Sequence, residues 1–421
     1  MKNSTFLARL LIVFLSLLLL CGCSENAPAS AESVPINIPL QKLEHISWED
    51  TNSISNTLCF SPEEILFLRS IGAWGEVGHS EICRFSFEDG SRQILAKRDE
   101  FLSYLDRYDG EKVFTLGTVR QEKWSFASTD LATGSTEYAP FEPAGVSYNP
   151  PRLLPCRTGY TLLFEEFPKN EKVYRICMYT EDSGNVTESV LVKGVIDMTK
   201  VIGKGFIADI SPSKNTDKIW LLCEDRTPKL SQPYLEIYDM NGKFLETREL
   251  PFWNEVTKEI EISCELPYEV GAKEIVVLGE KSEYLLINFQ TSSRLFLWKN
   301  GEYQHLGSPA VLQENETLPI HTLVTIETRC SGCIHSSSNT RFRYFYEKIS
   351  NDKPLILYIF DSASGQFYYT ELPNYDGGVY IDSNCNGDLL LRCYEWQDYA
   401  AILTDGYLLL REDIERAIAL L

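Results

Sequence analysis

The sequence predicts an all-β fold, a β-propeller of about seven four-stranded blades. Three observations lead there. Strand-like segments rich in Val, Ile, Leu, Phe, Tyr and Trp are punctuated by Asp-Gly and Asn-Gly signals. One shape, an apolar strand, an Asp or Asn, a Gly up to four residues later and a second strand, recurs seven times: at Asp89-Gly90, Asp130 to Gly134, Asp182 to Gly184, Asp239 to Gly242, Asn300-Gly301, Asp361 to Gly365 and Asp405-Gly406. The first residues of these turns lie 41, 52, 57, 61, 61 and 44 positions apart, about the length of a four-stranded blade with its loops. Six or eight blades, or tandem β-sandwich domains, are alternatives that a helix-poor sequence also fits.

Composition supports a folded chain: 421 residues, 44% hydrophobic and 12% aromatic, hold enough apolar surface to offset the entropy of ordering. A net charge of -21 repels polyphosphates, so nucleic acid is excluded as a partner.

At the N-terminus, Lys2 and Arg9 precede an apolar run from Leu10 to Leu20, the length of an export-signal core and too short to span a bilayer. Leu20-Cys21-Gly22-Cys23 follows and resembles the bacterial lipobox, with Leu three residues before the cysteine that is lipidated. The resemblance implies that residues 1–22 form a lipoprotein signal peptide and that Cys23 becomes the acylated first residue. Several acyl chains would anchor the protein to the membrane of the bacterial cell envelope, where a single chain would bind marginally. Residues 23–33, small, polar and without periodicity, read as a flexible tether of about 20 Å reach. The mature chain keeps 37 basic and 60 acidic residues, a charge of -23, which argues against a second, electrostatic contact with anionic lipid.

The propeller domain spans residues 34–421. Val34, Ile36, Ile38 and Leu40 alternate with Pro35, Asn37 and Pro39, a pattern for an edge strand added to the last blade. Upstream of each turn lies an apolar run, read as an inner strand: Ile65 to Leu68, Lys112 to Leu116, Thr161 to Glu165, Lys218 to Cys223, Tyr284 to Phe289, Phe342 to Glu347 and Asp388 to Tyr394. Their near-continuous apolarity suits strands buried on both faces between neighbouring blades. The stretch Arg411 to Leu421 is the most helical, with Ile414, Ile418 and Leu421 on the face that packs on the rim. With the lipobox, this organisation resembles the bacterial β-propeller lipoproteins of six or seven blades. The resemblance covers architecture alone: Gly78-His79 lacks the Trp-Asp of a WD-type repeat, and no sialidase-type or quinone-propeller signature occurs.

Chemistry is sparse. The five histidines form no His-Glu-x-x-His pair, and there is no Gly-x-Ser-x-Gly elbow, Walker loop or dinucleotide fingerprint. Gly72 to Gly75 and Gly203 to Gly205 read as turns. Beyond Cys21 and Cys23 ten cysteines remain; Cys83, Cys177 and Cys223 sit in apolar runs and read as reduced core residues. Cys330-Ser-Gly-Cys333-Ile-His335 is the sharpest local feature, a candidate disulfide or redox pair or half of a zinc site. It lacks further ligands, so no metal and no cofactor are predicted, and a loop disulfide or idle thiols is the plainer reading. Cys385 and Cys393, flanking Asn386-Gly387, are a further candidate pair across a hairpin. The acidic pairs Glu165-Glu166, Glu181-Asp182 and Glu412-Asp413 read as solvated surface, and no catalytic residue is nominated. The expectation is a membrane-anchored binding or scaffolding module for a protein, peptide or glycan; an envelope hydrolase or lyase acting on carbohydrate is the alternative.

Overall fold

A computed structural model describes residues 32–45, 54–71, 78–99, 101–108, 110–119, 123–140, 152–156, 159–166, 171–179, 186–195, 203–213, 218–227, 230–239, 243–250, 272–279, 281, 283–289, 292–310, 323–326, 341–347, 354–373, 375–376, 378–384, 386–397 and 400–421.

The N-terminal segment supplies β1 (Val34–Pro35) and β2 (Gln41–Lys42). Seven sheets follow among the described residues, each an antiparallel meander. The first is β3 (Ile54–Phe60), β4 (Glu64–Ile71), β5 (His79–Ser86) and β6 (Arg92–Asp99). The second is β7 (Phe101–Tyr108), β8 (Lys112–Val119), β9 (Lys123–Asp130) and β10 (Thr136–Pro140). The third is β11 (Arg152–Cys156), β12 (Gly159–Glu166), β13 (Glu171–Tyr179) and β14 (Val186–Val195). The fourth is β15 (Gly203–Ser213), β16 (Lys218–Thr227), β17 (Leu230–Asp239) and β18 (Phe244–Glu249). The fifth is β19 (Ala272–Leu278), β20 (Tyr284–Phe289), β21 (Ser293–Lys299) and β22 (Glu302–Gly307). The sixth is β23 (Val324–Thr325), β24 (Phe342–Glu347), β25 (Leu355–Asp361) and β26 (Gln366–Leu372). The seventh takes β27 (Gly378–Ser383), β28 (Leu389–Gln397) and β29 (Ala400–Leu409) from the C-terminal end of the chain, and helix α1 (Arg411–Ala419) ends it.

This is a β-propeller. First strands of neighbouring sheets lie against one another, β3 with β7, β11 with β15 and β15 with β19, so the sheets converge on their first strands. Every apolar run expected as an inner strand falls on the second strand of its sheet, paired on both sides. In β20, Leu285, Ile287 and Phe289 pack with Trp220, Leu222, Leu235 and Ile237 of the fourth sheet, whereas Leu286 packs with Phe345, Tyr358 and Phe360 of the sixth. One strand thus feeds two seams, the period-2 alternation sending side chains to both covered faces.

The meander gives the ring two unlike rims. Connections between sheets, and loops between second and third strands, emerge at one, here the loop rim. Turns between first and second and between third and fourth strands emerge at the other, the turn rim. The Asp/Asn-Gly signals mark the latter. At Asn300-Gly301 both central residues have positive φ, 56° and 86°, as a type I′ hairpin requires. At Gly365, with φ +70, a Cβ would stand 2.0 Å from the Tyr284 hydroxyl of the fifth sheet, so no side chain fits. Asp89 accepts the Ser91 N–H at 2.9 Å, and that backbone bond, with those of the Ser91 and Ser86 hydroxyls, pulls its carboxyl down to about 2.

Ring closure differs from the expectation in three ways. Asp405-Gly406 is no turn: it lies inside β29, where Cys393 faces Asp405 and Tyr394 faces Leu403, leaving a bulge at Thr404. The last sheet therefore has no third-to-fourth hairpin of its own, and its fourth strand is β2, antiparallel to β29. The alternating segment beginning at Val34 goes elsewhere: β1 pairs in parallel with β26, the outer strand of the sixth sheet. Ile36 and Ile38 are buried there, and Leu43 is buried between the seventh and first sheets. Two smaller corrections concern the ends of elements. Gly203 to Gly205 opens strand β15 at a register shift rather than forming a turn, and Leu421 is exposed beyond the helix, while Ile414 is fully buried and Ile418 packs on the same core.

Two predictions follow from this closure and these turns. Leu43→Ala is expected to cost about 2–5 kcal/mol in urea denaturation, the range for a buried leucine, whereas Leu245→Ala, exposed on β18, changes stability by less than about 0.5 kcal/mol. Because the Asp89 carboxyl titrates lower when folded than when unfolded, its contribution is fully present above about pH 4 and fades as pH falls toward 2. Asp89→Ala is therefore expected to flatten the acid limb of a stability-versus-pH curve.

Candidate functional site

Hydrogen bonds tie neighbouring sheets to one another. Asp209 on β15 accepts the Ile275 N–H of β19 at 2.9 Å. Asn288 and Ser293 of the fifth sheet hold both backbone groups of Leu323, which leads into β23. The Tyr344 hydroxyl of the sixth sheet donates to the Gly387 carbonyl of the seventh. Arg98 donates to the Thr115 hydroxyl of the second sheet at 2.6 Å.

The seam between the seventh and first sheets carries the most developed of these ties. Asp382 on β27 accepts the Thr57 hydroxyl of β3 at 2.9 Å and, on the same oxygen, Nε and Nη2 of Arg392 at 3.0 and 2.9 Å. A further Arg392 nitrogen donates to the Tyr394 hydroxyl at 3.2 Å. Both charged residues are buried, Asp382 at 4% and Arg392 at 5% exposure. Burial opposes the Arg392 charge, but Asp382 and Tyr394 outweigh it and its pKa rises. Burial likewise raises the Tyr394 phenol.

Toward the loop rim the same face turns aromatic. Arg392, Tyr394 and Trp396 alternate along β28 and so share one face of the sheet, with Tyr380 of β27 opposite Arg392. Tyr380 meets Tyr394 edge-on at 5.1 Å and lies 5.8 Å from the Arg392 guanidinium. Tyr380 is 59% and Trp396 57% exposed. Asp376 accepts the Trp396 N–H at 3.1 Å and secures the strand end. A rigid charged base thus holds exposed rings whose faces are suited to stacking on a ligand. The Asp382 carboxylate is held in its ion pair with the Arg392 guanidinium.

Sequence reasoning missed this cluster. The one available signal was in Leu389-Leu-Leu-Arg-Cys-Tyr-Glu-Trp396, where one face passes from Leu390 to Arg392, Tyr394 and Trp396. Of the residues that were singled out, Cys23, Cys330, Cys333 and His335 lie outside the described residues, as do Cys385, Glu181, Asp182 and the Gly72 to Gly75 stretch. Among the described residues no group of three or more His, Cys, Asp or Glu side chains converges to hold a metal ion. Cys83, Cys223 and Cys393 are buried and carry no disulfide, which bears out the reduced-core reading for Cys83 and Cys223 and removes the Cys385–Cys393 bridge. Burial pushes the Cys83 thiol up to about 11 and Cys393 up to about 12, and raises Cys223 as well. Asp413 accepts from Arg416 at 2.8 Å and Gln41 at 3.3 Å, joining α1 to β2, while Glu412 is exposed.

No protein-family model and no curated protein matches this chain. Among solved structures it is similar to an oligogalacturonate lyase in complex with manganese, at 9% identity over 91% of this chain and 100% of that one, TM-score 0.49. It is also similar to the oligogalacturonate lyase of Vibrio parahaemolyticus, at 9% identity over 90% and 98%, TM-score 0.48. The β-propeller domain of the trilobed protease from Pyrococcus furiosus matches at 12% identity over 84% and 94%, TM-score 0.44. These likenesses carry no substrate, metal or catalytic residue over to this chain.

Two outcomes are expected from this site. Asp382→Ala leaves the Arg392 charge buried and unpaired and costs about 3–5 kcal/mol, read by chemical denaturation. Cys83, Cys223 and Cys393 resist iodoacetamide at pH 8 in the native protein and react after unfolding, read by mass spectrometry, since only the thiolate is nucleophilic.

Proposed function

We propose that this protein is a bacterial envelope lipoprotein whose propeller is a binding or scaffolding module for a protein, peptide or glycan. In this reading residues 1–22 are removed on export, Cys23 carries the lipid, residues 23–33 form the tether, and residues 34–421 display the loop rim. The observation that carries the binding role is the face of Tyr380, Tyr394 and Trp396, with two rings more than half exposed above a buried Asp382–Arg392 pair. Exposed aromatic side chains held on a rigid strand give large contact area at little entropic cost. Among the described residues, three buried carboxylates hold the fold: Asp209 with a backbone N–H, Glu347 with Tyr358 and Asp361 with Arg341.

Two measurements test the reading. Cys23→Ala is expected to move the protein from the membrane to the soluble fraction with an unchanged melting temperature; retention in the membrane fraction contradicts the anchor. On arrays of envelope oligosaccharides and peptides, the Tyr380→Ala, Trp396→Ala double variant is expected to lose about ten-fold or more in affinity, the scale of an interface hot spot. Undiminished binding contradicts the site, and turnover of an arrayed oligosaccharide replaces the binding role with the enzymatic one.

A further inference from the structure

The face of Tyr380, Tyr394 and Trp396 has an opposite wall, on the first sheet. Strand register sets their relative height. Thr57, Phe67 and Cys83 form one row across β3, β4 and β5, and Asp382 and Leu390 form one across β27 and β28. The Thr57–Asp382 bond joins these rows at 2.9 Å, and Phe67 and Cys83 pack in one core with Leu390 and Tyr394. Two residues nearer the loop rim, and so on the same faces, the first sheet carries Arg69, Glu81 and Lys97 in a row while the seventh carries Arg392 and Tyr380. His79 comes next on the first sheet and Tyr394 on the seventh. Burial, and then the Glu81 charge, raise the Cys83 thiol, in keeping with Glu81 beside it on that face.

Glu81 differs from the other acids of this seam. It is buried, at 5% exposure, yet its contacts are long: His79 Nε2 stands 3.4 Å and Lys97 Nζ 3.9 Å away, both from Oε1. Asp382, equally buried, draws three donors to one oxygen at 2.9 to 3.0 Å. Among the described residues nothing hydrogen-bonds Oε2 of Glu81. A buried carboxylate is costly to keep with so few donors, and ligand hydroxyls supply them. Charges of both signs alternate along the row, Arg69, Glu81, Lys97, on strands about 4.8 Å apart, so acceptors and donors stand side by side.

We infer that the ligand of the aromatic face is an uncharged oligosaccharide, seated between the seventh and first sheets with its rings on Tyr380 and Trp396 and its hydroxyls on Glu81. The inference rests on the binding role proposed above. A sugar hydroxyl both donates and accepts, and neighbouring hydroxyls therefore satisfy a wall of alternating charge, whereas a charged group meets a like charge one strand away. Sugar rings present flat C–H faces to exposed aromatic rings. The net charge of -21 adds repulsion against polyanionic chains.

The test titrates the full chain at pH 7 by calorimetry with three probes: cellotetraose, the tetraglucuronate of the same β-1,4 linkage, and tetralysine. Cellotetraose is expected to bind at least about ten-fold tighter than either charged probe; tighter binding of a charged probe, or binding of none, overturns the inference. This comparison needs no variant. Glu81→Gln is then expected to weaken cellotetraose by about ten-fold or more, the scale of a hydrogen bond to a charged group, with the melting temperature unchanged. Affinity undiminished in that variant overturns the second wall. The aromatic face is read separately through the Tyr380→Ala, Trp396→Ala double variant: a charged probe that binds and is lost there overturns the uncharged glycan and leaves the face standing, while cellotetraose binding that survives there contradicts the face itself.

Discussion

A sheet that is apolar on both faces is stable only when both faces are covered, and every other feature of this protein depends on that constraint. Leu285 and Ile287 point into one seam and Leu286 into the next, all fully buried. Burying such side chains contributes about 1.5–3 kcal/mol each. The contribution is present only while a neighbouring sheet lies on each side, so an open row of sheets would expose two apolar faces at its ends. Closing the ring removes both ends at once.

Closure has two parts at different radii. At the outside, β2 fills the fourth place of the last sheet, where Lys42 pairs with Asp405 at 2.5 Å and Tyr375 bonds both Asp405 and Tyr407. Near the first strands, Asp382 joins Thr57 to Arg392 across the same seam. The long-range tie fixes Arg392 from below, so Tyr380 and Tyr394 stand on an ordered base; under the proposed binding role, that base would not need to order when a ligand arrives.

What the sequence made legible was local. Asn300-Gly301 and Asp89-Gly90 announce hairpins because positive φ is a property of those few residues, and unbroken apolar runs announce strands covered on both faces. The same local code misled at Asp405-Gly406, where both residues pair in register inside β29, Asp405 opposite Cys393 and Gly406 opposite Arg392. The short strand β2 carries no signature of its own, being two polar residues whose place is decided by Leu43, Gly406 and Asp405. The Thr57–Asp382 bond joins positions 325 residues apart, and Arg392 gained meaning only when a carboxylate from another strand was placed against it. Histidines show the same limit: His79 leans on Glu81 at 3.4 Å and His305 stacks beside Phe296, contacts that only the folded sheet defines.

The central claim is that the N-terminal segment is an integral strand of the closed ring. Native-state hydrogen exchange tests it most directly through two amides, Ile36 N–H, bonded to the Tyr369 carbonyl, and Leu43 N–H, bonded to the Gly406 carbonyl, each at 2.9 Å. If closure holds the fold together, both exchange only with global unfolding and show the same opening free energy as the amides of β4. Exchange at fraying rates, with β4 still protected, would show that the ring stands without its N-terminal strand and would contradict the account.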